Sequence, residues 1–257
     1  MKDIKIIFFD IDGTLVNMGA KDLSEKTVET LRRLQENGIK ICIATGRSPA
    51  ALPKLPVKFD AYLLFNGSLC CTASQIIYSN PIPYEAVQQL VRNAADRGRP
   101  VSVATTKRLA ANGWEEDLSA YYDLAHLKLT VAEDFEEACR EGVYQLMLGG
   151  RESEPTTVAD GVEGVKAVFS WHRAVDVIPD NSGKEIGIQK ILEYFSIPVS
   201  QSMAFGDGNN DLEMLQAVGT GVAMGNACDR LKAVADEICR TSEEEGIYHY
   251  CLENGLI

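Results

Sequence analysis

Asp10 and Asp12, separated by one residue, end the apolar run Ile4–Phe9 and lead into Gly13-Thr14. A fully buried parallel strand reads as a near-continuous apolar stretch, and ligands of open α/β sheets collect just beyond the strands' carboxyl ends. Two carboxylates left unpaired at that place would repel each other and carry a desolvation penalty. A cation such as Mg²⁺ is the expected third party.

Three further segments carry residue types suited to the same rim. A second apolar strand ends in Ala44-Thr45-Gly46-Arg47. A hydroxyl, a glycine that lets backbone approach and a forked guanidinium together suit the oxygens of a phosphoryl group. A third strand runs into Gly206-Asp207-Gly208-Asn209-Asn210-Asp211, whose Asp207 and Asp211 would complete the oxygen-rich ligand set that Mg²⁺ prefers. Lys184, just after Ser182-Gly183 at the start of a helix, places an ammonium within reach of those acids.

The elements that must position these residues follow an alternating grammar. Ile4–Phe9 is a strand; Ser24 caps a helix to about Glu36 that turns Leu31 and Leu34 to one face, and Asn37-Gly38 ends it; Ile39–Ala44 and Ala61–Phe65 are the next strands, with a short helix between them. The pattern returns with a helix over Lys184–Phe195, a strand at Met203–Phe205, a helix near Asn210–Ala217, a strand at Gly221–Met224 and a helix from about Asn226. Strands alternating with helices in this way imply a parallel sheet covered on both faces.

Between the two ends lies a stretch bracketed by the turn-rich junctions Asn80-Pro81-Ile82-Pro83 and Pro179-Asp180-Asn181-Ser182-Gly183. Inside it the pattern predicts a helix at 84–97, strands near 101–104 and 108–112, helical stretches near 115–124 and 133–140, a strand at 143–149, a helix near 155–161, and strands near 165–171 and 174–178. Residues 1–81 and 182–257 then form one α/β domain, and 82–181 an inserted α+β domain of about 100 residues, an ordinary size for a compact unit. Trp114 and Trp171 are expected to be packing residues of this insert. His172 and Arg173 stand near its end, where a surface arginine is ordinarily a solvated charge.

Other classes of function fit poorly. The net charge of −12 opposes nucleic acid as a partner. No apolar stretch approaches the roughly 18 residues of a membrane span, and Met1–Phe9 is too short and too charged for a signal peptide, so a cytoplasmic protein is expected. The seven cysteines contain no Cys-x-x-Cys spacing and read as reduced thiols packed as small hydrophobes. Three scattered histidines do not make a zinc site. Calcium loops fail on spacing: counted from Asp10 the sixth and twelfth places hold Leu15 and Lys21, and from Asp207 they hold Leu212 and Val218. The first strand leads into Asp-Ile-Asp-Gly instead of the Gly-x-Gly-x-x-Gly of dinucleotide binding.

In order and context, the acid pair with Gly13-Thr14, the Thr45 strand, the lysine and the Gly-Asp-Gly-x-Asn-Asp run resemble the motifs of the haloacid dehalogenase superfamily of phosphotransferases. The insert after Asn66-Gly67, together with Thr45-Gly46-Arg47 and Ala223-Met224-Gly225-Asn226-Ala227, further resembles the Cof-like subfamily with its α+β cap. The lysine departs in one detail, being followed by Glu185 where the family usually has glycine. The resemblance implies a Rossmann-like three-layer core with a capping insert that determines specificity. It also implies a Mg²⁺-dependent phosphatase of small phosphomonoesters, such as sugar phosphates or related metabolites, working through an aspartyl phosphate. Carried over, it assigns Asp10 as nucleophile and Asp12 as general acid, then base. Thr45 and Lys184 would steady the phosphoryl oxygens, with Gly46, Arg47 and Asn210 as further phosphate or substrate contacts. The metal would be held by Asp10, the backbone carbonyl of Asp12, Asp207 and Asp211, the last directly, through water or by orienting Lys184. Two rivals share parts of this chemistry: a phosphomutase on the same scaffold, and a signalling receiver phosphorylated on aspartate, which needs neither the second acid Asp12 nor a large insert.

Overall fold

The structure is a computed structural model that describes residues 3–151 and 158–257. In chain order its strands and α-helices are β1 (Ile6–Phe9), α1 (Glu25–Glu36), β2 (Lys40–Ala44), β3 (Ala61–Leu64), β4 (Leu69–Cys71), β5 (Ile76–Ser79), α2 (Tyr84–Ala95), β6 (Ser102–Thr105), β7 (Leu109–Ala111), α3 (Glu116–Leu124), α4 (Phe135–Ala138), β8 (Val143–Gly149), β9 (Val165–Trp171), β10 (Ala174–Pro179), α5 (Lys184–Phe195), β11 (Ser202–Gly206), α6 (Leu212–Gln216), β12 (Thr220–Ala223), α7 (Asp229–Lys232), β13 (Glu237–Ile238) and α8 (Gly246–Glu253). The chain divides into two compact units, one of residues 1–45, 53–79 and 183–257, the other of 46–52 and 80–182.

The first unit is built on one sheet of strand order β13-β12-β11-β1-β2-β3-β4-β5. Its strands are parallel from β13 to β3. The run Leu69–Ser79, which the alternating grammar does not cover, adds β4 and β5 antiparallel at the β3 edge. The β1–α1–β2 connection steps across the sheet in one direction and β11–α6–β12 in the other. Because such crossovers are right-handed, the two helices lie on opposite faces, giving three layers. α1 forms where the sequence places it: the Ser24 hydroxyl accepts from the Thr27 amide at 3.0 Å, satisfying one of the helix's orphan donors, and Leu31 and Leu34 are buried.

The central strand β1 has β11 on one side and β2 on the other, with Phe9 opposite Phe205 and opposite Ile43. That register decides where the chemistry can occur. All three strands end at one level, so the residues that follow them emerge on one rim. Phe9 and Phe205 stack in parallel with ring centroids 5.5 Å apart, and Tyr250 of α8 meets Phe205 edge-on at 5.3 Å. Phe9 and Phe205 are fully buried, so the two strands that lead to Asp10 and Asp207 come out of a dry core.

The second unit carries an antiparallel sheet of order β7-β6-β8-β10-β9. Its main core joins Val103, Leu146, Leu148, Val175 and Val177 to Val87 and Leu90 of α2 and Phe135 of α4. α3 meets β8 and β10, with the Tyr122 hydroxyl bonded to Ser102 at 2.5 Å and the Tyr121 hydroxyl donating to Asp176 at 2.9 Å. The helix expected near 155–161 falls partly outside the described residues, and 158–161 form a turn.

One expectation needs correction. Trp114 does not pack: it is 64% exposed, because it sits in the turn between β7 and α3 and has no sheet face to lie on. Trp171 stacks on Tyr121 with centroids 6.2 Å apart, and the Arg173 guanidinium lies over Trp171 while donating to Asp117 at 2.6 Å. All seven cysteines are free thiols, and Cys42, Cys70, Cys139 and Cys251 are buried.

Candidate active site

The site on the first unit starts from β1. Its last amide bond pattern carries over one residue, with the Asp10 N–H donating to the Phe205 carbonyl at 3.0 Å, so Asp10 leaves the sheet beside β11. The following loop folds back at once: Gly13 N–H donates to Val16 at 2.8 Å and Val16 N–H to Ile11 at 2.8 Å. Gly13 has φ +81°, and a Cβ there would stand 2.2 Å from Asp207 Oδ2. Only glycine lets the two loops touch. Thr14 Oγ1 then donates to Asp207 Oδ1 at 2.9 Å, tying the β1 and β11 loops together. Asn226 adds a second tie, its Nδ2 donating to the Gly13 carbonyl at 2.8 Å while its Oδ1 accepts from the Ser242 amide at 2.9 Å.

Lys184 is the first residue of α5, and it is buried. Its ammonium donates to Asp10 Oδ1 at 2.7 Å and to Asp211 Oδ1 at 2.6 Å. The other oxygen of Asp211 accepts from the amides of Asp207 at 3.0 Å and Gly208 at 2.9 Å, so one carboxylate shapes the β11 loop and holds the lysine. What places the start of α5 is the turn Phe65–Gly67 that follows β3. Gly67, at φ +94°, lies so close to the Gly183 carbonyl that a Cβ would be 2.0 Å from it.

Asp10, Asp207 and Asp211 offer carboxylate oxygens that lie within 4.8 Å of one another. Asp12 stands outside this trio and is half-buried, which leaves its backbone carbonyl as its expected route to a metal. Thr45 is buried at the end of β2, its N–H donating to Leu63 at 2.9 Å and its carbonyl accepting from Asn66 at 3.1 Å. Asn210 Nδ2 donates to Asn66 Oδ1 at 3.3 Å. Gly46 and Arg47 group with the second unit, where Arg47 Nη1 donates to the Ala51 carbonyl at 2.6 Å.

The charges show strain of a kind that a cation relieves. Burial, opposed by Lys184 and reinforced by Asp211, Asp207 and Asp12, holds the Asp10 carboxyl well above the usual carboxylate range. Burial first, then the charge of Asp211, pushes Asp207 up to about 7, against the pull of Thr14 and Lys184. Burial acts to lower Lys184, but the charges and hydrogen bonds of Asp10 and Asp211 outweigh it, and the ammonium is held firmly protonated. Three carboxylates and one ammonium leave a formal charge of −2 when all are ionised, and the donors are hard oxygens. A divalent ion of the Mg²⁺ type fits that set in both charge and chemistry.

Comparison with known proteins assigns this arrangement to a class. Residues 7–251 match the model of the haloacid dehalogenase-like hydrolases, and the chain belongs to that family. It is 34% identical over 99% of both chains to YkrA of Bacillus subtilis (strain 168), provisionally named a phosphatase. It is 29% identical, over 96% of each chain, to the 5-amino-6-(5-phospho-D-ribitylamino)uracil phosphatase YitU of the same organism. Among solved structures, the haloacid dehalogenase subclass IIB sugar phosphatase BT4131 matches 98% of this chain and 100% of its own at 31% identity, with a TM-score of 0.87. The protein is a phosphoric monoester hydrolase of this superfamily, and the receiver reading is set aside. No helix among the described residues is long and apolar enough to cross a membrane.

Proposed function

We propose that the protein is a Mg²⁺-dependent phosphatase of small phosphomonoesters, sugar phosphates or related metabolites, that works through an aspartyl phosphate on Asp10. The observation that carries this reading is the buried Lys184 ammonium, 2.7 Å from Asp10 and 2.6 Å from Asp211, on the rim where three carboxylates meet. The substrate class leans on the relatives that act on phosphorylated small molecules, a ribitylaminouracil phosphate and sugar phosphates.

In this reading Asp10 attacks phosphorus, and one difficult hydrolysis becomes two easier displacements. Asp12, on the loop two residues further, protonates the departing alkoxide and later takes a proton from water, a contribution on the order of 10² to 10⁴ in rate. Lys184 and Thr45 bind the phosphoryl oxygens, with Gly46, Arg47 and Asn210 as further contacts. Asp211 is a positioning residue, because both of its oxygens are committed to Lys184 and to the β11 loop amides. Asp10, Asp207, the Asp12 carbonyl and, through water, Asp211 would hold Mg²⁺, which would supply positive charge against the repulsion between a carboxylate nucleophile and a phosphate. The unit built on residues 80–182 is the cap, reading the leaving group that the shared core does not distinguish.

The test is Asp10→Asn. It should retain binding of Mg²⁺ and inorganic phosphate while turnover of an aryl phosphate falls by at least about 10³-fold, the scale expected when a nucleophile is removed. Hydrolysis near the wild-type rate would end the proposal. A screen of phosphorylated metabolites with and without Mg²⁺ then reads the leaving-group preference.

A further inference from the structure

We infer that the side-chain amide of Asn66 is an additional hydrogen-bond donor to the phosphoryl group, an inference that rests on the phosphatase reading above. The turn after β3 holds three consecutive residues in the left-handed region: Phe65 at φ 51°, Asn66 at φ 50° and Gly67 at φ 94°. Such backbone costs on the order of 1–3 kcal/mol per non-glycine residue and persists where the surroundings over-determine it, commonly at ligand sites. Here the surroundings are the site itself. The Asn66 N–H donates to the Thr45 carbonyl, its Oδ1 accepts from Asn210, and Gly67 abuts Gly183 and the Lys184 amide.

Asn66 is only 4% exposed, yet its Nδ2 has no hydrogen-bond partner among the described residues. Asparagine tolerates left-handed backbone, which explains the residue type but not the orphaned nitrogen. A buried amide without a partner costs about 1–3 kcal/mol, and native structures rarely leave one without a reason. Because Asn210 donates to Oδ1, the amide is oriented with its donor side turned away from Asn210. An NH₂ group only donates, so it cannot ligate a cation; it needs an acceptor. The hydrogen-bonded neighbours of Asn66, namely Thr45 and Asn210, are ones assigned to phosphate oxygens, its chain neighbour Gly67 abuts the backbone of Lys184, and an anionic oxygen is the strongest acceptor that could enter there.

The experiment measures inorganic phosphate affinity in the presence of Mg²⁺ for the full chain and for Asn66→Asp and Asn66→Gly. Both replacements accept the left-handed backbone; the first keeps the shape but turns a donor into an acceptor, and the second removes the side chain. Phosphate affinity should fall by at least about tenfold in each, the value of a hydrogen bond to a charged group. Mg²⁺ affinity of Asn66→Gly without phosphate should stay within about twofold of wild type, since the lost group donates and does not ligate. Inorganic phosphate has no leaving group, so the loss assigns the contact to the phosphoryl oxygens. A folded Asn66→Gly protein that binds phosphate within about twofold of wild type would overturn the inference. A wild-type chain that binds phosphate but does not hydrolyse an aryl phosphate would instead sink the phosphatase reading, and this binding comparison would still stand.

Discussion

Lys184→Met tests the electrostatic argument at its centre. The ammonium is 1% exposed and bridges two carboxylates that are themselves 9% and 0% exposed. At an effective dielectric of about 20, each contact of this length corresponds to about 6 kcal/mol of gross attraction. Most of that is offset by the desolvation of three charges, and removing one partner of a buried pair costs a net of about 3–5 kcal/mol. Methionine keeps the length and apolar stem of lysine, so little of the loss arises from a cavity. The charge of the cluster changes from −2 to −3, and Asp10 and Asp207, no longer pulled down by the ammonium, hold protons more tightly. The loss should therefore be near its full size at pH 8, where Asp10 and Asp207 are asked to ionise, and shrink toward pH 5, where their raised carboxyls take up protons. Hydrogen exchange of the β1 amides Ile6–Phe9 without divalent metal gives the opening free energy locally. A loss below about 1 kcal/mol at pH 8, set against the 3–5 kcal/mol of a broken buried pair, or one equally large at pH 5, would refute the reasoning.

Two more expectations follow from the same geometry. Asp207, pushed up to about 7 when folded, holds a proton that the unfolded chain, with a carboxyl near about 4, has already released. This group therefore favours the metal-free fold on the acid side, and that contribution is lost as pH rises through about 7. Because Mg²⁺ must displace the protons held on Asp207 and Asp10, its affinity should rise by about tenfold or more per pH unit from 5.5 toward 7; a flat profile by calorimetric titration would contradict the assigned ligands. Gly67→Ala should destabilise the protein by more than about 1 kcal/mol, since the backbone is left-handed and the new Cβ meets the Gly183 carbonyl. It should also lower turnover by moving Lys184, read as a drop in kcat together with a lower melting temperature; unchanged turnover would mean that the turn does not set the lysine.

The pieces are legible in the order of the residues alone. The apolar runs before Asp10, Thr45 and Asp207 become β1, β2 and β11, the Ser24 cap and the Leu31 and Leu34 face become α1, and the helix expected over Lys184–Phe195 has those bounds. These signals are local: periodicity, caps and turn residues act over about a dozen positions, and a strand that ends in acid can be seen within nine letters. Tertiary structure decided what could not be local. Lys184 meets Asp10 across 174 positions of chain and Asp211 across 27, a meeting set by the register of Phe9 against Phe205 and by the close approach of Gly67 to Gly183. The pairing of β4 and β5, the exposure of Trp114 and the buried amide of Asn66 likewise depend on what surrounds each residue in space. Residue types name the chemistry a chain can perform, whereas burial and distance, which exist only after folding, set the charge each group carries and the atom it faces.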